Sequence, residues 1–198
     1  MNNIADDTMN ESSASLPDLL RPGLDVVFVG INPSIYSVQQ GHYFARRTNR
    51  FWPAFSRSLL SLAVRKALGV EALLPEHDHL LPDHGFGFTD AVKRASARAT
   101  DVTPAEFAEG VASLVAKLEE TVPRIACFHG IMAYRPLYRA LTGTKDDPHL
   151  GLQPLRIGRT QVFLAPNPSP ANAHFTPADQ TRAYDDLATC LDRPMPEA

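Results

Sequence analysis

Two asparagine residues follow apolar segments of this sequence, and a proline comes directly after each of them. Asn32 lies near the end of residues 24–33, which read LDVVFVGINP. Asn167 follows a second apolar segment, residues 161–165. An amide does not ionise, but its carbonyl oxygen can orient a water molecule and its NH₂ group can donate to a ring carbonyl. Since ligands of open α/β sheets bind beyond the carboxyl ends of strands, we expect both asparagines at one pocket.

Two more side chains could take part in chemistry. Asp90 lies in the apolar segment 85–92, where a carboxylate could activate a water molecule held close to a substrate. A helix cap or a surface partner for Arg94 is the alternative interpretation. Phe44 lies among arginines, and an aromatic ring beside basic groups can stack on a nucleic-acid base. A core side chain is the alternative for Phe44, and a plain strand-to-loop turn is the alternative for the GINP segment.

Charge is distributed unevenly along the chain. The formal net charge of −3 argues against a protein that coats nucleic acid, because non-specific affinity comes from neutralised phosphates. Residues 37–70, however, contain no Asp or Glu and carry six basic side chains, namely Arg46, Arg47, Arg50, Arg57, Arg65 and Lys66. A second basic group follows at Lys93, Arg94 and Arg98. This pattern favours an enzyme that binds a few phosphates, and two solvated faces are the alternative.

Length and composition predict one globular domain. Residues 1–16 are polar and lack periodicity, so we expect a disordered tail there and a single domain over residues 17–198. No apolar run approaches the length of a membrane-spanning helix, and the amino terminus lacks the pattern of a signal peptide. We therefore expect a cytoplasmic protein without membrane contact.

Neither a metal nor another cofactor is expected. Two cysteines, Cys127 and Cys190, are too few for a disulfide framework or a four-cysteine metal site, and we interpret both as buried thiols. His77 and His79 lack a third ligand at a familiar metal spacing.

Strand and helix patterns alternate along the chain, which predicts an α/β fold with a short, mostly parallel sheet flanked by helices on both faces. The strand patterns occupy residues 24–30, 85–92, 124–129, 155–158 and 161–164. The helix patterns occupy residues 50–68, 104–120, 131–141 and 177–191, and residues 73–81 are expected to be irregular. The apolar face of the first helix would contain Phe51, Phe55, Leu59 and Leu62.

Four short segments together resemble the mismatch-specific branch of the uracil-DNA glycosylase superfamily, the branch that also contains the thymine-DNA glycosylases. Their order and spacing agree from about Pro22 to Leu191, and they are GINP (30–33), YFA (43–45), NRFW (49–52) and NPS (167–169). The resemblance implies a three-layer α/β fold and removal of a base that is flipped out of DNA. It also implies hydrolysis of the N-glycosidic bond, which leaves an abasic site in base-excision repair.

The resemblance implies roles for individual residues as well. Asn32 would orient the hydrolytic water, and Phe44 would stack on the extruded uracil. Backbone groups near Ile31 and Phe44 would read the pyrimidine edge, and Ser37 would line the pocket near C5 of the ring. Asn167 would contact the base and begin the loop that enters DNA, which contains Ser169, Pro170, Ala171, Asn172 and Ala173. We expect further DNA contacts from Arg46, Arg47, Arg50, Lys93 and Arg94.

Two departures from this branch change the expected activity. Ala171 and Ala173 stand where its mismatch readers have a bulky wedge and an arginine, so we expect relaxed recognition of the base opposite uracil. Asp90 stands at about the place of a basic residue, so we expect it to assist Asn32 or to act as the general base. No Lys at the end of the GINP strand could form a Schiff base, which predicts a monofunctional hydrolase.

The expected partner is double-stranded DNA that carries uracil or a mismatched pyrimidine, with single-stranded DNA as a further substrate. The expected enzyme is a monomer. Two alternatives stay open. The chain could act mainly on another deaminated or alkylated base, and the pocket around Ser37 and Phe44 would decide between these bases. It could also be a nucleic-acid-binding module without catalysis, because the side chain of Asn32 is neither an acid nor a base.

Overall fold

A five-stranded sheet forms the centre of the computed structural model, which describes residues 15–192. The strands are β1 (Val26–Gly30), β2 (Phe86–Asp90), β3 (Ile125–His129), β4 (Gly151–Ile157) and β5 (Thr160–Ala165). They lie in the order β2-β1-β3-β5-β4. Neighbouring strands are parallel except for β4, which is antiparallel to β5. The mostly parallel sheet predicted from the sequence is therefore confirmed.

The strands are apolar because helices cover both faces of the sheet. Every residue of β1, β2 and β3 is buried, as expected of parallel strands between two helix layers. On one face, the ring of Phe28 packs edge-on against Phe51 and Phe55. On the other face, Val29 belongs to a second core cluster that includes Leu118.

Five helices of the described chain lie in the connections that precede β4, and a sixth follows β5. They are α1 (Ile35–Gln40), α2 (Phe51–Arg57), α3 (Leu62–Leu68), α4 (Pro104–Thr121), α5 (Ile131–Thr142) and α6 (Pro177–Leu191). α2 and α6 pack on the face of Phe28, and α4 and α5 pack on the opposite face. α4 and α6 each begin with a threonine and an acid that exchange hydrogen bonds with the backbone, which fixes where they start.

The single helix predicted over residues 50–68 is interrupted. Ser58 has an extended backbone (φ −79°, ψ 159°), and its hydroxyl group donates to the backbone oxygen of Phe55. The backbone N–H of Leu59 donates to the carboxylate of Asp185 on α6 instead of continuing the helix. The chain therefore turns before α3. As a result Leu59 and Leu62, which were expected on the apolar face, are 66% and 55% exposed.

Several boundaries also differ from the predicted ones. Residues expected to be irregular form a 3₁₀ helix, Pro75–His84. β4 begins before its predicted start because an edge strand is partly exposed and lacks a continuous apolar run. Leu16, which was assigned to the tail, is buried in the core, whereas residues 1–14 and 193–198 lie outside the described residues. Cys127 is buried as expected, but Cys190 is only partly buried. No helix within residues 15–192 is long and apolar enough to cross a membrane.

Candidate active site

A cleft of about 830 Å³ opens at the edge of the sheet where the four parallel strands end. Its volume suits a small ligand or an extruded nucleotide. Each of these strands contributes lining residues at its end or just after it, namely Gly30, Ile31 and Asn32 from β1, Asp90 from β2, His129 and Gly130 from β3, and Asn167 from β5. The two asparagines expected at one pocket thus both line this cleft.

The amide of Asn32 is oriented by hydrogen bonds within the protein. Its Nδ2 atom donates to the backbone oxygen of Arg94 at 2.9 Å and to the hydroxyl oxygen of Ser96 at 2.8 Å. A longer contact of 3.3 Å joins Nδ2 to the backbone oxygen of Pro33. Backbone oxygens only accept hydrogen bonds, so the nitrogen must lie at this end of the amide. The Oδ1 atom of Asn32 is left to accept a hydrogen bond from a water or a ligand.

Residues 94–98, called the strap here, hold this amide from the side of β2. The backbone N–H of Ser96 donates to the backbone oxygen of Pro33 at 3.2 Å, which continues the pairing of β1 with β2 beyond the strands. The guanidinium group of Arg94 binds the carboxylate of Glu106 on α4. Because hydrogen bonds favour the ionised acid, this one and those from Thr103 lower the pKa of Glu106 to about 2. The strap is therefore anchored to both a strand end and a helix.

Asp90 lies beside Gly30, since the ends of β2 and β1 are paired in register. A Cβ atom on residue 30 would clash with Oδ1 of Asp90, so a larger residue there would displace the carboxylate from its present position. Asp90 is 5% exposed, and its Oδ2 atom has no hydrogen-bond partner in the described part of the chain. Burial raises the pKa of Asp90 to about 7, although the charge of Lys93 acts in the opposite direction. This carboxyl group can therefore exchange a proton near neutral pH.

A small ion cluster lies close to Asp90. Asp18 accepts hydrogen bonds from Nζ of Lys93 at 2.8 Å and from the hydroxyl group of Thr89 at 2.6 Å. The ammonium group of Lys117 is 2.7 Å from the second oxygen of Asp18. Burial alone would raise the pKa of Asp18, but its hydrogen-bond donors outweigh burial and lower the pKa. The charge of Lys93 is thus compensated inside the protein.

Phe44 has a left-handed backbone conformation (φ +53°), which bulky residues rarely adopt. Its ring stacks on Phe51 at a centroid distance of 4.3 Å and also lines the cleft. The preceding residue is held on both sides, because the N–H of Tyr43 donates to Asp78 at 2.8 Å and its carbonyl oxygen accepts from Nε1 of Trp52 at 2.9 Å. These bonds stabilise a strained conformation that keeps the ring at the cleft. Phe44 is therefore both a core contact and a cleft residue.

The loop after β5 is shaped by its own polar side chains. Oδ1 of Asn167 accepts the backbone N–H of Ser169 at 2.9 Å, so the amide nitrogen is left as a donor. Nδ2 of Asn172 donates to the backbone oxygen of Asn167 at 3.0 Å. The guanidinium group of Arg50 donates to the backbone oxygens of Asn172 and Phe175. The loop is thus fixed to the start of α2.

Most of the predicted base-contact and loop residues lie at the cleft. Ile31 and Ser37 are buried and line it, and Arg46 is an exposed residue at its edge. The cleft is also lined by the predicted loop residues Ser169, Pro170, Ala171 and Asn172. The structure therefore brings the GINP segment, Phe44 and the late loop together.

Five predicted DNA contacts are not cleft residues. Arg47 and Ala173 are exposed beside it. Arg50, Lys93 and Arg94 bind acceptors within the fold, and their role in contacting DNA stays a prediction. Carboxylates and backbone oxygens from distant segments pack against these cations, which the local sequence does not show.

His129 was not singled out from the sequence, although it ends an apolar parallel strand at the cleft. It is 2% exposed, and its Nε2 atom is 2.9 Å from the hydroxyl group of Tyr184. Gln180 donates to the same hydroxyl group at 3.1 Å, so His129, Tyr184 and Gln180 form one buried chain of hydrogen bonds. Burial lowers the pKa of His129 to about 3, which keeps the ring neutral at neutral pH.

The described residues do not form a metal centre. Within residues 15–192, no group of three or more His, Cys, Asp or Glu side chains is arranged to hold a metal ion.

The carboxylate of Asp78 lies 3.0 Å from Nδ1 of His42 and accepts the N–H of Tyr43, so this acid supports the segment before Phe44.

Comparisons with known proteins agree with this architecture. The family model described as the uracil DNA glycosylase superfamily matches residues 17–188. Among solved structures, the solution NMR structure of a candidate uracil DNA glycosylase from Methanosarcina acetivorans is similar to this chain. The TM-score is 0.51 and the sequence identity is 19%, over 89% of this chain and 98% of that chain. At this identity the likeness supports the fold alone.

The substitution Asp90→Asn should stabilise the protein in a pH-dependent way. Because the pKa of Asp90 is raised to about 7, the folded chain keeps a proton that the unfolded chain loses above about pH 4. Asp90 therefore makes stability fall as the pH rises from about 4 to about 7, and the full cost of the ionised, buried carboxylate remains above pH 7. Chemical unfolding should show a larger gain in free energy of unfolding for Asp90→Asn at pH 8 than at pH 4.5.

The control for this measurement is Asp83→Asn, which removes one charge at a side chain that is 74% exposed. An equal effect of Asp90→Asn at both pH values would contradict the raised pKa.

Proposed function

The chain belongs to the uracil DNA glycosylase superfamily, and on that premise we propose that it hydrolyses the bond between uracil and deoxyribose in DNA. Membership of this superfamily supports a DNA glycosylase, with DNA as its partner. The observation that carries the finer proposal is the fixed amide of Asn32, which presents an acceptor oxygen to the cleft. An acceptor at that point can hold a water molecule for attack on a sugar carbon.

The reaction begins when uracil leaves the base stack and enters the cleft. Extrusion costs a few kcal/mol and is cheapest at a mispair or in single strands. The ring of Phe44 offers a face on which the base can stack, and the backbone near Ile31 can read the pyrimidine edge. The amide nitrogen of Asn167 is a further donor for the base.

The glycosidic bond then lengthens, and positive charge develops on the sugar. Water held by Oδ1 of Asn32 attacks C1′, and the leaving uracil takes the bonding electrons as an anion. Ionised Asp90 can accept the proton of this water or stabilise the positive sugar. Its Oδ2 atom has no protein partner in the described chain, which leaves it available for either role.

The product of this reaction is an abasic site. No lysine is among the described residues that line the cleft, so a Schiff base with the sugar has no amine there. We therefore propose a monofunctional glycosylase that does not cut the DNA strand.

Binding of DNA is assigned to the exposed basic side chains near the cleft. Arg46 lines its edge, Arg47 follows it, and Arg98 is 80% exposed in the strap. With few such groups and a net charge of −3, affinity for undamaged duplex should be modest and sensitive to salt. We propose that the enzyme acts as a monomer in the cytoplasm.

The first test is release of uracil from DNA by the purified protein. We expect activity on a U·G duplex and none on the same duplex with thymine in place of uracil. Asn32→Ala should lower the single-turnover rate by about 10² or more, because an oriented catalytic group is lost. A rate within about threefold of the unmodified protein would remove Asn32 from the mechanism.

Release of hypoxanthine, xanthine or an alkylated pyrimidine in preference to uracil would replace the proposed substrate. Binding without release of any base would leave a nucleic-acid-binding module.

The second test is the pH dependence of the chemical step. If ionised Asp90 is the active form, the single-turnover rate should rise with pH and level off above about 7. Asp90→Asn and Asp90→Ala should both lower the plateau and remove this rise, with little change in DNA affinity. A wild-type profile in either variant would leave Asn32 as the main catalytic side chain.

The third test concerns the strand opposite uracil. Ala171 and Ala173 are short and exposed, so they offer little contact to the opposite base. We expect U·G, U·A and single-stranded uracil all to be substrates. Ala171→Leu should raise the rate on both duplexes but not on single strands, because a wedge helps only where a base leaves a stack. Activity confined to U·G would show that the opposite base is read by other residues.

A further inference from the structure

We propose that Ser96 is a positioning residue whose hydroxyl group sets which end of the Asn32 amide faces the cleft. The inference rests on the proposed function, because it assigns a role within the same reaction. Ser96 lies in the strap, 64 residues from Asn32 in the sequence, and none of the motifs discussed above contains it.

The direction of the hydrogen bonds carries the inference. The hydroxyl group of Ser96 donates its one hydrogen to the backbone oxygen of Arg98 at 2.6 Å. Towards Asn32, 2.8 Å away, the hydroxyl oxygen can therefore only accept. The backbone oxygen of Arg94, at 2.9 Å, is an acceptor as well. Each of the two hydrogens on the amide nitrogen of Asn32 thus has an acceptor within hydrogen-bond distance.

A reversed amide would be costly. If Asn32 turned by 180° about its last bond, Oδ1 would face the backbone oxygens of Arg94 and Pro33, which have no hydrogen to donate, and the nitrogen would enter the cleft. The hydroxyl group of Ser96 could donate to Oδ1 only by giving up its hydrogen bond to Arg98. Each lost hydrogen bond at a partly buried site destabilises that arrangement. The pairing with Ser96 therefore keeps an acceptor, rather than a donor, directed at the position of the attacking water.

The hydroxyl group itself is held in place. Ser96 is 5% exposed, and its backbone N–H and carbonyl oxygen bind Pro33 and Ile35 at 3.2 Å and 3.3 Å. Arg94 fixes the strap to Glu106 on α4. A side chain held in this way can impose an orientation on Asn32 without moving itself.

Loss of the hydroxyl group should affect the chemistry more than the binding. Without it, Asn32 keeps the backbone oxygens of Arg94 and Pro33 as acceptors but loses the closest one, at 2.8 Å, so the reversed amide becomes more populated. In the reversed orientation the attacking water faces the amide N–H of Asn32 instead of the acceptor Oδ1. We expect Ser96→Ala to lower the single-turnover rate about tenfold, as for a mispositioned catalytic group.

The matched control is Ser56→Ala. Ser56 is also buried, and its hydroxyl group also makes two hydrogen bonds, one to the backbone oxygen and one from the backbone N–H of Leu73. It lies outside the cleft, so its loss should reduce thermal stability without a selective loss of rate.

The decisive experiment places Ser96→Ala in both the unmodified protein and the Asn32→Ala background. Single-turnover rates are measured on U·G duplex at saturating enzyme, and affinity is measured with a duplex that contains a tetrahydrofuran abasic analogue. If Ser96 acts through Asn32, the substitution should change the rate less than about twofold when Asn32 is already absent. Affinity for the analogue should stay within about twofold in all variants. Ser96→Thr, which keeps the hydroxyl group, should recover most of the rate.

Three results would overturn the inference. They are an undiminished rate for Ser96→Ala, an equal loss with and without Asn32, and a loss of rate that Ser56→Ala reproduces. If Ser96→Ala does not fold, Ser96→Cys, a weaker hydrogen-bond acceptor of similar shape, takes its place in the same cycle. Failure of the proposed function is a separate outcome, because then the unmodified protein itself would release no uracil from the U·G duplex.

Discussion

The in-register parallel pairing of β1 with β2 is the constraint on which the site depends. It brings Gly30 beside Asp90, and backbone bonds from Ala91 to Gly30 and from Val92 to Ile31 continue the pairing beyond the strands. A shift of one residue would turn every side chain of one strand to the opposite face. Asp90 would then leave the cleft, and the strap would no longer reach the amide. One ladder of backbone hydrogen bonds therefore fixes the positions of both Asn32 and Asp90, the two polar side chains of the proposed chemistry.

The strands and the residues that follow them could be predicted because parallel strands are continuous apolar runs. Asn32 and Asp90 stand out at the ends of such runs. The break between α2 and α3 could not be predicted, because the carboxylate of Asp185 that binds the N–H of Leu59 is 126 residues away. Ser96 was missed for the same reason, since nothing in its local sequence indicates a partner on β1. Local sequence patterns predict the strands, the helices and the candidate site residues. The orientation of a side chain such as that of Asn32 depends on hydrogen bonds to distant residues, which local patterns do not show.

The basic residues show how far charge can be interpreted without a structure. The sequence locates the cations, but not the acids that fold against them. Lys93 is compensated by Asp18, and Arg94 is compensated by Glu106. These ion pairs hold the strap and the segments around the cleft in place, so they help to fix the shape of the site. Among the described residues, exposed side chains such as Arg47 keep more conformational freedom than these paired cations.

The prolines after the two asparagines have a consequence for the chemical lifetime of the protein. Asparagine decays to aspartate when the backbone nitrogen of the next residue attacks the side-chain amide and forms a cyclic imide. That attack requires an N–H group, and proline has none. At position 32, an aspartate would set a carboxylate against the backbone oxygens of Pro33 and Arg94. Asn32 and Asn167 are each followed by proline, so these two cleft amides are protected from ageing by this route.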